Sequence, residues 1–589
     1  MTTRATRSPR RRTVVALAVV LAVLAAFVVR LVDIQVVNAD AHVEDSLNTG
    51  LGTTDRIAGQ RGSIIDSDGT VLASSVLIYD AQLSPLVITQ LEKKEPKLPW
   101  AEASEKIAKV TGQTGDEVRT LVADALAKDA ESQYAQLARS LTTEQYIELR
   151  DLGLAYLHFE SRETRVYPNG AVAGNIVGFL NGAGTAQEGI EKLESECLAP
   201  ADGERTIRIG KDGVVIPGSE RIVDAVDGGT VQLTLNSDLQ WYMQQMIAEE
   251  AQKQGAQGGT VMVVDTKTGK IRAAAEWPAM DPNDLGATSP DTWGNKVFTH
   301  TYEPGSTFKA ITAAAIMDAA GATPLSTVTA SSRETFPNGA VVNDAFSHPA
   351  NNYTLAGALI DSSNVALSKF GDMVSPEVRY DYLKRFGVGE PTVGFTDEES
   401  GALYPAEDWD NQSRYATTFG QAYTVTVPQV AGAYQAIANG GEKVDLSLIE
   451  SCTKPDGTVI TPDAPKREQI IKPETASNLT RMLENVAVQG GLSKDITVPG
   501  YRVTSKTGTA EVPDGNGGYK SGVYYTSMVG FAPVDDPQFV VVVTLDQPTK
   551  VVSSAATASA FQKAMTQVMK AYRVMPSSTP MDELLPKFD

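Results

Sequence analysis

Lys309 stands three residues after Ser306 in the run Pro304-Gly305-Ser306-Thr307-Phe308-Lys309. A serine hydroxyl attacks a carbonyl only when a base takes its proton, and a lysine is such a base when burial or a nearby cation keeps it neutral. The spacing puts both side chains on one face of a helix. The Pro-Gly lead, followed by the apolar stretch Ala310 to Ala320, sets Ser306 in a first helical turn, where backbone N–H groups point outward and negative charge is favoured. Taken alone, S-x-x-K is equally an N-cap serine beside a surface lysine.

Two further runs give the pair its meaning. Ser362-Ser363-Asn364 offers a hydroxyl and an amide two residues apart on a turn, suited to relaying a proton and holding a substrate amide. Lys506-Thr507-Gly508-Thr509 lies in a strand-like stretch. There Lys506 supplies a cation for a carboxylate, Thr507 and Thr509 supply hydrogen bonds, and Gly508 lets a substrate backbone come close. Lys506 also lowers the pKa of Lys309 by like-charge repulsion. S-x-x-K, S-x-N and K-T-G in this order form the set used by penicillin-binding proteins and serine β-lactamases.

The remaining composition removes competing classes. The formal net charge of −21 leaves no basic footprint for nucleic acid. The histidines His42, His158, His300 and His348 are scattered without an HExxH-like pair, so no metal, cofactor or Ser-His-Asp triad is expected. Cys197 and Cys452 have no metal-ligand spacing and read as two unrelated thiols, with one long-range disulfide as the alternative.

The elements that must position these residues begin at the N-terminus. Residues 1–12 carry Arg4, Arg7, Arg10, Arg11 and Arg12 with no acid, and the apolar run Val14 to Val29 continues through Leu31, Val32 and Ile34. Residues 13–36 therefore read as a transmembrane anchor with a cytoplasmic basic tail and everything later outside. A cleaved signal ending at Ala39-Asp40-Ala41 is the alternative. Residues 42–235 read as short strands and turns with a helical insert at 101–153, where Thr142 to Gln145 resembles a capping box. From 236 to 575 the pattern gives a helix from Ser237 to about Gly255 and strands at 260–265 and 271–275. A helical middle follows, then strands at 501–510, 523–532 and 539–546 and a helix at 554–572. That is a sheet covered by helices, in a mixed α/β chain. Residues 576–589 read as a loose polar tail.

With these runs in view, the sequence resembles a class B penicillin-binding protein over nearly its whole length. Tyr302 to Lys309 is similar to that family's nucleophile motif. Arg61-Gly62 through Asp66, Arg165 to Gly170 and Glu188 to Glu191 match its non-catalytic pedestal. Phe419-Gly420-Gln421, Pro428-Gln429 and Ala438 to Gly441 match its later transpeptidase domain. The resemblance implies a pedestal used for dimerisation or docking, then a serine β-lactamase-like antiparallel sheet covered by helices. It implies a D,D-transpeptidase that cross-links peptidoglycan stem peptides and is acylated by β-lactams. In that mechanism Ser306 attacks the penultimate D-Ala carbonyl, Lys309 is the base, and Ser362 and Lys506 pass the proton to the leaving group. Asn364 binds the donor amide, Thr507 and Thr509 bind its carboxylate, and the N–H groups of Ser306 and Thr509 form the oxyanion hole.

Glu303 before Pro304, and Thr526 to Pro533, resemble the division-type (FtsI) branch more than the elongation type. That branch implies a membrane glycosyltransferase of the shape-and-division type and small bitopic division proteins as partners. Ser363 departs from relatives that carry Asp there. The alternatives are an elongation-type enzyme, a β-lactamase or D,D-carboxypeptidase with water as acceptor, and a non-catalytic β-lactam-sensing envelope protein.

Overall fold

Phe539 to Asp546 reads Phe-Val-Val-Val-Val-Thr-Leu-Asp, β-branched or apolar at nearly every position, a run suited to a strand covered on both faces. The computed structural model describes residues 9–38, 52–94, 98–208 and 220–589. In it that run is the centre of a five-stranded antiparallel sheet. Its strands in chain order are β1 (Gly258–Asp265), β2 (Ile271–Trp277), β3 (Lys506–Pro513), β4 (Tyr519–Ala532) and β5 (Phe539–Asp546), and their spatial order is β2-β1-β5-β4-β3. The period-two pleat sorts the valines. Val541 and Val543 join one apolar cluster, and Val540 and Val542 join the other. β3 is an edge strand, so alternate backbone groups of Lys506 to Thr509 face outward for another chain.

The helices of this region include α1 (Ser237–Gln254), α2 (Lys309–Ala320), α3 (Leu355–Ile360), α4 (Asn364–Gly371), α5 (Val427–Ala438), α6 (Pro473–Gln489) and α7 (Ala555–Ala571). Leu239, Met243 and Ile247 of α1 and Phe561, Met565 and Val568 of α7 pack on the Val541 and Val543 face. α5 covers the other face, and α2 is buried at every position from Lys309 to Met317. Asn236 caps α1 by accepting from Leu239 N, and Gly255 ends it in the left-handed conformation.

A second sheet runs in the order Val459–Ile460, Ile449–Thr453, Thr230–Leu233, Ile64–Ile65, Val71–Leu83, Ala135–Leu141, with Leu157–Val166 pairing Val71–Leu83. Its strands come from both halves of the chain. Residues 61–199 and 228–589 accordingly form one compact unit. Arg61 and Arg165 both donate to the fully buried Glu191, each at 2.7 Å, so three of the pedestal residues singled out above make one ion cluster. The other unit holds Met1–Gln60 and Pro200–Asp227. It contains the N-terminal helix Pro9–Val32 and a three-stranded sheet of Gly52–Ile57, Gly203–Arg208 and Arg221–Val223. The N-terminal helix, extended by a π-type turn to Val37, is apolar and long enough to cross a bilayer. Arg4, Arg7 and the Ala39-Asp40-Ala41 site lie outside the described residues.

Four expectations change. Cys197 and Cys452 are joined as a disulfide across a separation of 255 residues. The thiols had looked unrelated because the pairing of Ile449–Thr453 with Thr230–Leu233, which brings them together, is not a local feature. The 101–153 insert contains a strand, Ala135–Leu141, where helix-forming composition yields to pairing with Val71–Leu83. The capping box at Thr142 and Gln145 is present. Strand β3 begins at Lys506 rather than 501. The 576–589 segment is not loose at its end. Leu585 is buried and donates to Asn485 Oδ1 at 2.9 Å, Thr354 N donates to Lys587 O at 3.1 Å, and Lys587 pairs with Asp361 at 2.6 Å. Leu585 and Phe588, the latter packed edge-on against Tyr353, supply apolar anchors that composition averages away.

Closing so long a loop restricts the unfolded chain, and a bond of this kind contributes about 2–5 kcal/mol. A Cys197→Ser/Cys452→Ser double variant is expected to melt several degrees lower than the wild type in calorimetry under non-reducing conditions. Equal melting temperatures would show that the bond adds nothing to stability.

Candidate active site

Pro304 leads into a 3₁₀ turn, Gly305–Phe308, and α2 starts at Lys309. Ser306 therefore sits in the turn that feeds the helix, partly exposed, and Lys309, at the helix start, is fully buried. The turn is held from three directions. Gly305 N donates to Gly420 O at 2.8 Å, Thr307 Oγ1 donates to Pro304 O at 2.7 Å, and the buried Tyr434 hydroxyl donates to Thr307 O at 2.7 Å. Gly420 has φ +88° and a Cβ there would lie 1.9 Å from Gly305 O, so only glycine lets the Phe419-Gly420-Gln421 loop back the nucleophile turn.

The second motif sits between α3 and α4. Ser362 adopts φ +56°, an αL conformation that costs a residue with a side chain of order 1 kcal/mol or more. That conformation brings its carbonyl and hydroxyl together on Lys309: Nζ donates to Ser362 O at 2.5 Å and to Ser362 Oγ at 3.2 Å. From the opposite side Lys506 Nζ donates to the same Oγ at 3.0 Å and to Thr507 O at 3.2 Å. Two buried lysines thus converge on one serine hydroxyl. Burial pushes the Lys309 pKa well down, the charge of Lys506 pushes it further, and Asp344 works against both. Burial alone brings Lys506 to about 7.

The third motif presents alternate residues. Lys506 and Gly508 are buried, whereas Thr507 and Thr509 face the open side. A Cβ on Gly508 would lie 2.3 Å from Ser527 Oγ and 3.0 Å from Pro304 O. A side chain at this position would therefore collide with the neighbouring strand and with the nucleophile turn that lies against β3. Ser554 N donates to Thr509 Oγ1 at 3.0 Å, which leaves the Thr509 O–H as a donor to an anion outside. Asn364 is half-buried, with Nδ2 donating to Asn343 O at 2.9 Å.

Of the residues singled out by spacing, Lys309, Ser362 and Lys506 are joined by hydrogen bonds, and the strand carrying Lys506 to Thr509 lies against the turn that carries Ser306. Sequence reading missed Asp344, His348 and Tyr434 and used Glu303 only as a branch marker. Glu303 is buried and accepts from Ala422 N at 2.9 Å and from the Tyr519 hydroxyl at 3.0 Å, tying β4 to the start of the nucleophile turn. Burial raises its pKa against those hydrogen bonds. Only its place beside Pro304 signalled it.

Residues 259–569 match the penicillin binding protein transpeptidase domain, and residues 56–233 match the penicillin-binding protein dimerisation domain. The chain is similar to the penicillin-binding protein PbpB of Mycolicibacterium smegmatis, with 33% identity over 92% of this chain and 87% of that protein. It is also similar to the peptidoglycan D,D-transpeptidase FtsI of Escherichia coli, with 26% identity over 95% of this chain and 91% of that protein. Among solved structures, penicillin binding protein 3 of Mycobacterium tuberculosis in complex with aztreonam has 26% identity and a TM-score of 0.70, covering 91% of this chain and 100% of that one.

Proposed function

The chain belongs to the penicillin-binding protein transpeptidase family, and we infer on that premise that it is a peptidoglycan D,D-transpeptidase that cross-links stem peptides through an acyl-enzyme on Ser306. The observation that carries the reading is the convergence of Lys309 and Lys506 on Ser362 Oγ, behind a serine at a helix start.

Each step follows from groups already described. Neutral Lys309 takes the proton of Ser306 Oγ as the oxygen attacks the carbonyl of the penultimate D-Ala. The N–H groups of Ser306 and Thr509 hold the oxyanion, a contribution of ~10²–10³ in rate per donor in other acyl-transfer enzymes. The C–N bond to the terminal D-Ala breaks as its nitrogen receives a proton through Ser362 Oγ, with Lys506 and Lys309 on either side of that hydroxyl. An amine on a neighbouring stem then attacks the Ser306 ester, passes its proton back and restores the serine. Asn364 binds the donor amide, and Thr507 and Thr509 its terminal carboxylate. Gly508 serves by letting β3 lie against the nucleophile turn. β-Lactams present a carboxylate and a strained amide to the same groups, so they acylate Ser306 as pseudosubstrates.

The apolar N-terminal helix anchors the chain as a single span in the cell membrane, with the basic tail inside and both family domains outside. The Cys197–Cys452 pair supports an oxidising, extracytoplasmic location. Residues 42–235 act as the pedestal and 236–575 as the transpeptidase domain. Likeness to FtsI and the Glu303-Pro304-Gly305-Ser306 run favour a septal role, with a membrane glycosyltransferase and small bitopic division proteins as partners. Depleting the protein in its host is expected to give filaments that elongate without dividing. Round, swollen cells would assign it to elongation instead.

A further inference from the structure

A short strand beside the second motif, Val341–Asn343, ends in a carboxylate that none of the roles above uses. Asp344 Oδ2 accepts from Ser363 Oγ at 2.7 Å and from His348 Nε2 at 2.8 Å, and Oδ1 accepts from Val365 N at 3.0 Å. Ser363 Oγ also accepts from Ala366 N at 2.9 Å, and Asn364 Nδ2 reaches Asn343 O. Residues 363 to 366 are therefore fastened through the 343–344 corner. That corner fixes the turn on which Ser362 holds its left-handed backbone and Asn364 its amide.

The protonation of His348 follows from its partners. Nε2 faces the Asp344 carboxylate, and Nδ1 lies 2.8 Å from Pro349 O. Both are acceptors, an arrangement that favours the imidazolium, which donates from both ring nitrogens. Burial opposes that charge. The hydrogen bonds to Asp344 and Pro349, with the charges of Asp344 and Asp361, outweigh it and raise the pKa. Tyr353 lies edge-on to the ring at 5.6 Å, and Asp361, whose charge also acts on it, pairs with Lys587. Asp344 also acts on Lys309, where its charge favours the protonated form.

We propose that Asp344 is a positioning residue for acyl transfer and that the His348 imidazolium neutralises it, so the Ser362–Asn364 turn is held without leaving a bare anion to keep a proton on Lys309. The arrangement resolves a conflict: a carboxylate is the best clamp for two N–H groups and a hydroxyl, and the worst neighbour for a base that must be neutral. The proposal rests on Lys309 being the base.

The test is the pH profile of the second-order acylation rate constant for a fluorescent penicillin, measured on the full chain in detergent. The wild type and the variants Asp344→Asn, His348→Gln, His348→Lys and Lys309→Met are compared. The proposal expects the rising limb to move to lower pH in Asp344→Asn, which removes the anion and keeps an acceptor for Val365. It expects the limb to move to higher pH in His348→Gln, which keeps a donor and removes the cation, and to return towards the wild type in His348→Lys. Lower rates with an unmoved limb, or displacement of both variants in one direction, would overturn it. Should Asp344→Asn not fold, the contrast between His348→Gln and His348→Lys decides alone, since that side chain is 18% exposed. Survival of the limb in Lys309→Met would instead refute Lys309 as the base, a separate failure from that of the Asp344–His348 pair.

Discussion

Ser306→Ala is expected to take up no covalent fluorescent penicillin and to release no D-alanine from a pentapeptide donor, while melting within about a degree of the wild type. The hydroxyl is the only atom lost, and it is partly exposed in the 3₁₀ turn rather than part of the packing. The turn keeps its braces from Gly420, Thr307 and Tyr434, none of which uses the Ser306 side chain. Loss of the nucleophile therefore removes the acyl-enzyme without disturbing the cleft, and the variant should still bind the drug reversibly. Substoichiometric label that persists through denaturation in Ser306→Ala would mean another residue is the nucleophile. Label that forms on the wild type and decays within minutes would favour water as acceptor and a β-lactamase.

Lys309→Met is expected to lower acylation by ~10²–10⁴, the usual worth of a positioned general base, and to raise thermal stability near neutral pH. The second effect follows from burial. Both lysines lie in a site that penalises their charged forms. The unfolded chain holds a proton on Lys506 up to the ordinary 10.5, and the folded chain only to about 7. Between those values the unfolded state binds more protons, so stability rises with pH across that window, and below it the buried charge is a standing cost. Methionine fills similar volume without that cost. Acylation by the wild type should rise with pH as Lys309 loses its proton and level off well below the ordinary lysine range. Lys506→Met removes the like charge beside Lys309 and should move that limb to higher pH. A Lys309→Met variant that is both fully acylated and no more stable than the wild type would refute the buried-base account.

The chemistry was legible because it lies in short runs whose spacing survives without the fold. Ser306 and Lys309 are one helical turn apart, Ser362 and Asn364 share a turn, and Lys506 to Thr509 alternate along one strand. The run 539–546 likewise announced a strand. What stayed hidden depends on pairings distant in sequence. Cys197 meets Cys452 only because Ile449–Thr453 lies beside Thr230–Leu233. Ala135–Leu141 is a strand only because Val71–Leu83 is beside it. Asp344 and His348 sit in a polar loop whose residue types suggest nothing, and they gain meaning from Ser363, nineteen positions after Asp344. Gly508 stood out as a place of close approach, and the groups a side chain there would meet are the Ser527 hydroxyl and the Pro304 carbonyl.

The central claim is that Ser306 carries the acyl group, and peptide mapping after reaction with a β-lactam tests it most directly. Trypsin cutting after Lys296 and Lys309 yields the segment from Val297 to Lys309, which contains Ser306. The account predicts one drug equivalent per chain, with the mass increase on that segment and fragment ions placing it at Ser306. An adduct on Ser362, on either lysine, or on any peptide outside 297–309 would contradict it.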